Sequence, residues 1–181
     1  MGTRIGTMGR EAGHLPRALL LVALVGLLPG CGYQPLGAGG RPERVPVLQV
    51  AAIANDTFKP GIQGTVSAAI LRQLRLEGRF RPPQDQPPDL VLAGSVTGYQ
   101  NDAIAFDSQD VGRRFRVRIT LSATLTGQPR GEVRFKEEVV GESFYTTGSG
   151  VVNTRAAEDD AALRAAQDLA RRLLTRLTEE L

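Results

Sequence analysis

Residues 114–126 alternate strictly between polar and apolar side chains, and this pattern constrains the fold more than any other feature of the sequence. Successive side chains of a β-strand point to opposite faces of a sheet, so the run predicts a strand with one face in the core and one in water. The apolar members are Phe115, Val117, Ile119, Leu121, Ala123 and Leu125. The polar members are Arg114, Arg116, Arg118, Thr120, Ser122, Thr124 and Thr126. A polar outer face is typical of an antiparallel sheet.

A second strand is predicted directly after this one. Residues 127–131, Gly-Gln-Pro-Arg-Gly, have the composition of a hairpin connection. Val133, Phe135 and Val139 then share one face of the partner strand. Glu137 falls on the same apolar face by strict alternation, which predicts a bulge near it or a position at the rim of the sheet.

Two more strands are predicted earlier in the chain. Residues 90–97 form a strand whose faces differ little in polarity, so it is expected inside the sheet. Residues 47–53 are apolar and rich in β-branched side chains, which favours a strand buried on both faces. Residues 101–110 are polar and are expected to form a connection rather than a strand.

Two helices complete the pattern. Apolar residues recur at helical spacing after Pro60, and Gly78 suits a left-handed helix end; they are Ile62, Val66, Ala69, Ile70 and Leu74. A last helix is predicted after residue 152, with Asn153 or Thr154 as its cap. Its apolar stripe is Leu163, Ala166, Ala170, Leu173, Leu174 and Leu177. A proline-rich loop follows the first helix at residues 82–88.

The resulting order, β-α-β-β-β-α, predicts an α+β fold. We expect a two-layer sandwich with two helices packed on one face of a four-stranded mixed sheet. The last three strands form an antiparallel meander, and the first pairs in parallel through a helical crossover. Residues 47–181 make one domain of ordinary size.

The amino-terminal segment predicts export and lipid attachment. Arg4, Arg10 and Arg17 precede an apolar run, 18–28, that has the length of a secretory signal and is too short to span a bilayer stably. Leu28-Pro29-Gly30-Cys31 resembles the bacterial lipobox, which implies a signal peptide over residues 1–30, cleavage before Cys31, and lipid on its thiol and amino group. Residues 31–46 are rich in glycine and proline and are expected to form a flexible tether. The alternative is a cleaved secretory signal beside an incidental cysteine.

The residue after the cysteine bears on the destination of the mature chain. Gly32 is not the aspartate that retains lipoproteins at the inner membrane in enteric bacteria, so the resemblance implies the outer membrane. We therefore expect a protein that is lipid-anchored on the periplasmic side and does not span the bilayer.

Composition excludes several classes of function. His14 and Cys31 are the only histidine and cysteine, and both fall in the predicted export and lipidation signal, so the mature chain lacks cysteine and histidine nucleophiles and the usual zinc ligand sets. Residues 1–30 hold three of the 22 basic residues and one of the 19 acidic ones, which leaves a net charge of about +1. A nucleic-acid partner is therefore not expected. Asp102, Asp107 and Asp110 are better explained as a solvated connection than as a catalytic group, so we expect no enzyme and no cofactor.

Arginine side chains are the candidate binding residues. Arg114, Arg116 and Arg118 share the wet face of the patterned strand, and guanidinium groups bind phosphates bidentately. Arg134 and Lys136 on the partner strand are expected to enlarge this patch. A solvated outer face is the simpler explanation of the same pattern.

Several short segments together resemble the LptE family of lipopolysaccharide-assembly lipoproteins, through their order and spacing. They are Cys31-Gly32-Tyr33, the turn Asn55-x-Thr57-Phe58-x-Pro60-Gly61, Leu92-x-Gly94-x-Val96, Gly131-Glu132-Val133, and Glu137-Glu138-Val139 leading to Gly141-Glu142. The resemblance implies a plug inside an LptD-like β-barrel that helps to move lipopolysaccharide into the outer leaflet of the outer membrane. The implied partners are that barrel, lipopolysaccharide and, through the lipid anchor, the membrane. The basic patch would then meet the phosphates of lipid A. The proline-rich loop at 82–88 matches no family segment.

A different class of function remains open. A periplasmic envelope lipoprotein that acts as a protein-interaction module or scaffold would share the same anchor and the same strand-turn-helix opening. The proteins that co-purify with the lipidated chain would distinguish the two hypotheses.

Overall fold

The computed structural model describes Gly2, residues 44–147 and residues 151–179, and the folded unit begins at Arg44. The predicted signal peptide, the lipidation site Cys31 and most of the tether lie outside the described residues, Gly2 excepted. The elements in chain order are β1 (Leu48–Asn55), α1 (Ile62–Glu77), β2 (Leu90–Phe106), β3 (Gly112–Gly127), β4 (Glu132–Thr146) and α2 (Val151–Glu179). The predicted β-α-β-β-β-α order is confirmed.

The four strands form one sheet in the order β1-β2-β3-β4. β1 pairs with β2 in parallel, whereas β2, β3 and β4 form an antiparallel meander. This is the predicted mixed sheet, with β2 in its interior. The core lies between one face of the sheet and the two helices, and the apolar set of β3 from Val117 to Leu125 is buried in it, as the alternation predicts.

Two strand predictions need correction. β2 continues through residues 101–106, which were expected to be a connection, and pairs with β3 as far as Phe106 opposite Gly112. This extension is mostly exposed on both faces, so burial leaves no periodic pattern in its sequence. β1 is an edge strand, and Ala52 and Ala54 are exposed, so it is not buried on both faces.

The alternation of core-facing and outward-facing residues in β4 is interrupted earlier in the strand than the sequence predicts. Leu125 pairs with Phe135 but Thr126 pairs with Val133, which leaves Arg134 as the extra residue of a β-bulge. Val133 is therefore exposed instead of sharing the core face with Phe135. Glu137 remains exposed on the edge strand, as expected, and its carboxylate lies 2.5 Å from Arg176 of α2.

Helix α1 has the predicted face and the predicted end. All five of its predicted apolar residues are buried, and Gly78 closes it at φ 63°, with its amide donating to the carbonyl of Leu74. A backbone position with positive φ favours glycine, so Gly78 marks the carboxyl-terminal end of α1 in the sequence.

Helix α2 lies along β3 and β4 and packs against α1. It already includes Asn153 and Thr154, so neither precedes the helix as a cap. Leu163 is exposed, whereas the other five predicted stripe residues are buried together with alanines and Leu169.

The approach of α2 to β4 is closest at Gly141. A Cβ atom at Gly141 would overlap the carbonyl oxygen of Ala165 and would lie 2.5 Å from the Cβ of Leu169. Buried alanines on α2 and a glycine on β4 therefore allow helix and strand to meet backbone to backbone.

Candidate functional site

The predicted arginines lie side by side on the sheet face opposite the helices. Arg118 stands between Gln100 of β2 and Glu142 of β4 in the register of the sheet. Its Nε donates to Oε1 of Glu142 at 2.6 Å, and one of its terminal nitrogens lies 3.5 Å from the side-chain oxygen of Gln100. Arg118 is therefore held by a carboxylate of its own sheet.

Arg116 and Arg114 have weaker polar contacts with the sheet than Arg118 has. A terminal nitrogen of Arg116 lies 3.8 Å from Asp102, whereas its Nε is buried and has no hydrogen-bond partner in the described part of the chain. Arg114 lies over the ring of Phe144, with 5.2 Å between the guanidinium carbon and the ring centroid. No carboxylate of the described residues lies within 4.0 Å of Arg114. We call these three residues the arginine row.

Arg134 and Lys136 do not join the arginine row. Lys136 pairs with Thr124, which is about 20 Å along β3 from Arg118 at 3.3 Å per residue. Arg134 is the bulge residue beside Gly127, further still from the row. The hairpin at 127–131 folds the start of β4 back against the end of β3, so the two basic groups on β4 form a separate site. The expectation of one enlarged patch is wrong.

The chemistry of the arginine row follows from its partners. Two of its positive charges are offset by Asp102 and Glu142, so the row has a surplus of one positive charge at Arg114. The free donor of Arg116 and the unpaired guanidinium of Arg114 lie on adjacent positions of one strand face. Because the Nε of Arg116 is buried, an anionic oxygen on this face would contact the guanidinium of Arg114 and the exposed part of the Arg116 side chain, not that donor.

A second polar cluster, which the sequence does not reveal, ties the β1–α1 turn to α2. Nζ of Lys59 donates to Glu158 at 2.9 Å and to Asp159 at 3.1 Å, and the hydroxyl of Tyr99 donates to Glu158 at 2.8 Å. Burial raises the pKa of Glu158, but the hydrogen bonds from Lys59 and Tyr99 outweigh it and hold the pKa below its usual value. Residues 59 and 158 are far apart in the chain, so no local signal marks the pair.

We expect the substitution Glu158→Gln to lower the stability of the domain by about 1–2 kcal/mol at pH 7, because it removes a charge-assisted hydrogen bond. The lowered pKa of Glu158 means that its contribution is complete above the unfolded-state pKa and is lost as the pH falls through the folded-state pKa. Urea unfolding of wild type and variant at pH 7 and pH 3 tests this: the difference in free energy should shrink at pH 3. A constant difference would contradict it. Glu138→Gln, on an exposed position without an ion pair among the described residues, is the control.

Three further findings concern the described residues only. They contain no helix that is long and apolar enough to cross a membrane. No three histidine, cysteine or acidic side chains in them are grouped to hold a metal ion. A groove of about 250 Å³ lies beside β1 and α1.

Comparison with known proteins gives a family and several similar folds. The model of the LptE family, described as lipopolysaccharide-assembly, matches residues 45–177. A protein from Chlamydia trachomatis is 11% identical, with a TM-score of 0.53 over 74% of this chain and 96% of its own. A minor lipoprotein from Acinetobacter baumannii is 12% identical, with a TM-score of 0.50 over 75% of this chain and 94% of its own. A protein from Xanthomonas campestris is 15% identical, with a TM-score of 0.51 over 76% and 89%. No curated protein matches the sequence.

Proposed function

The chain belongs to the LptE family of lipopolysaccharide-assembly proteins, and from this premise we propose that it is a non-enzymatic outer-membrane lipoprotein that assists an LptD-like β-barrel in placing lipopolysaccharide in the outer leaflet. The observation that carries the proposal is the family match over residues 45–177, which spans nearly the whole folded unit. The observed strand and helix order agrees with the fold predicted from the sequence pattern.

Attachment to the membrane is assigned to Cys31. The lipobox-like sequence at residues 28–31 supports it, and so does the name lipoprotein given to a protein of similar fold. Residues 31–46 would span roughly 20 Å as a flexible chain. That reach allows lipid in the inner leaflet of the outer membrane and a domain that enters the barrel from the periplasmic side.

The surface of the domain suits a barrel lumen. Outer-membrane barrels are apolar outside and polar within, so a plug needs a polar exterior around a closed core. The open face of the sheet carries arginines, carboxylates, serine and threonine, whereas three of the exposed large apolar side chains, Ile104, Phe106 and Val111, lie at the hairpin between β2 and β3. Charged residues make up 23% of the chain and aromatic residues 5%.

Phosphate groups of lipid A are the proposed ligands of the arginine row. Arg114 supplies a guanidinium with no carboxylate within 4.0 Å among the described residues, and the Arg116 side chain is 31% exposed at atoms other than its buried Nε, so both can reach phosphate oxygens. Arg118 is already paired with Glu142 and would add less. Arg134 and Lys136 would bind anionic groups only as a separate site.

We expect replacement of Arg114, Arg116 and Arg118 by glutamine to weaken binding of purified lipopolysaccharide by about tenfold or more, because charge-assisted hydrogen bonds are lost. Surface interactions of this kind are screened by salt, so the wild-type affinity should fall as ionic strength rises, and the affinity of the variant should fall less. The double variant Arg134→Gln with Lys136→Gln removes comparable charge about 20 Å away and serves as the control. If the wild-type protein and the folded triple variant bind lipopolysaccharide with equal affinity, the arginine row is only a solvated outer face of the sheet.

Partner identity decides between the proposed function and the scaffold alternative. The native lipidated protein is extracted in mild detergent, sized and identified by mass spectrometry. The proposal expects a one-to-one complex with an outer-membrane β-barrel. A monomer, or a complex with soluble periplasmic proteins alone, would favour the interaction module instead.

A further inference from the structure

The groove beside β1 has the composition of a peptide site. It lies between the outer edge of β1, the exposed side of α1 and residues 80–83, at the start of the proline-rich loop. Its volume is about 250 Å³, and it is lined by Leu48, Gln49, Val50, Leu71, Leu74, Arg75, Phe80, Arg81, Pro82 and Pro83. Apolar side chains therefore form most of its lining, together with two arginines.

A strand edge runs along this groove. β1 is the edge of the sheet, and residue 81 covers only its beginning. The amide of Leu48 donates outward to the carbonyl of Arg81 at 2.9 Å, and the amide of Arg81 donates to the carbonyl of Pro46 at 3.0 Å. Strand geometry repeats every two residues, so the amide and carbonyl of Val50 face the same outer edge. The described chain places no backbone partner against them.

The open stretch of edge is short. The register with β2 shifts between Val50 and Ile53, so a bulge interrupts β1 just past the groove. Bulges on edge strands prevent extended pairing with other chains. Only the part of the edge that borders the groove is therefore suited to an added strand.

Positive charge surrounds the groove. Arg72, Arg75, Arg79 and Arg81 are exposed, and none has a carboxylate within 4.0 Å in the described part of the chain. The one acidic residue among them, Glu77, accepts a hydrogen bond from Gln73. A ligand with acidic side chains would complement the charge of this surface.

We propose that this groove binds a short extended segment of a partner polypeptide, in which an apolar side chain is flanked by acidic ones, through strand addition to β1. The backbone of the segment pairs with the free edge at Val50, and its apolar side chain enters the groove against Leu71, Leu74 and Phe80. Its carboxylates lie against Arg75 and Arg81. Strand addition obtains affinity from backbone hydrogen bonds and specificity from such side-chain pockets.

The test uses the full lipidated protein in mild detergent and three fluorescein-labelled hexapeptides. One alternates valine with aspartate, the second valine with lysine, and the third serine with aspartate. Fluorescence anisotropy should show saturable binding of the valine-aspartate peptide, with at least about tenfold weaker binding of the other two, since each lacks one of the two complementary features. Hydrogen exchange at the Val50 amide should slow on binding.

Two variants locate the site. Arg75→Glu combined with Arg81→Glu reverses exposed charges and should weaken binding of the valine-aspartate peptide by at least about tenfold. Val50→Pro removes the backbone N–H donor at the strand edge and should also weaken binding of the valine-aspartate peptide. If the Val50→Pro protein does not fold, the charge-reversal variant still tests the proposal. Arg155→Glu, on the exposed side of α2, is the matched control and should bind normally.

Several outcomes would overturn the proposal. They are the absence of saturable binding, equal binding of the aspartate and lysine peptides, and unchanged binding by the folded charge-reversal variant. Phosphatidylglycerol vesicles that displace the peptide and protect the same amide would assign the groove to lipid. A dimer that exchanges β1 edges, found by sizing, would assign it to a second copy. Each result is independent of whether a β-barrel co-purifies.

Discussion

Replacing Gly141 by alanine is expected to be the most damaging single substitution in the domain. The new methyl group would overlap the carbonyl oxygen of Ala165 and would lie 2.5 Å from both the amide nitrogen and the Cβ of Leu169. Two of these three atoms are backbone, so no side-chain rotation relieves the clash, and α2 must move off β4. Overpacking costs about 1–3 kcal/mol where side chains adjust; we expect at least the upper end here, against a total stability of about 5–15 kcal/mol.

Thermal and urea unfolding, followed by circular dichroism, measure the effect. Gly64→Ala is the matched control, because nothing lies within 4 Å of a Cβ atom at this position of α1. Gly64 lies in the exposed first turn of α1, where alanine is favoured over glycine by at most about 1 kcal/mol, so the control should be at least as stable as wild type. A Gly141→Ala protein that unfolds at the wild-type urea concentration would show that α2 does not pack as described.

Replacing Cys31 by alanine is expected to abolish attachment of lipid to the chain. One acyl chain gives only marginal binding, whereas each buried methylene adds about 0.8 kcal/mol and several chains make attachment effectively permanent. Without the thiol no lipid is added, so the variant should accumulate as uncleaved precursor or appear in the soluble fraction. Mass spectrometry of the amino terminus and labelling with radioactive palmitate follow the change.

The control for this experiment keeps the thiol. Gly32→Ala leaves the cysteine in place and should be lipidated like wild type. An unmodified Cys31 at the mature amino terminus of the wild-type protein would contradict the assignment. So would equal palmitate labelling of Cys31→Ala.

The fold was predictable where burial imposes a period on the sequence. The alternation through Phe115 and Leu125 defined β3, and the spacing from Ile62 to Leu74 with Gly78 defined α1. The extension of β2 through residues 101–106 was missed because both of its faces are mostly exposed. Pairing with β3, not burial, makes it a strand.

The arginine row was predictable as a set of residues but its partners were not. An extra residue at Arg134 brings Glu142, instead of Gly141, opposite Arg118. The register counted from Phe106 opposite Gly112 places Asp102 opposite Arg116, and the irregularity at Thr97 lies beyond this pair. The bulge in β4 has no glycine or proline at its extra position, so the sequence does not mark the shift that places Glu142 opposite Arg118. The same bulge in β4 turns Gly141 toward α2.

The order of strands in the sheet has a consequence for how the chain folds. Each strand pairs with its neighbour in sequence, so the sheet can assemble step by step from local contacts, which favours rapid folding. The buried face of β3 and β4 is covered by α2, the last element of the chain. Until those final residues have been synthesised and have docked, the sheet presents an uncovered apolar surface that is prone to aggregation. A chain truncated before α2 should therefore behave as an aggregating intermediate.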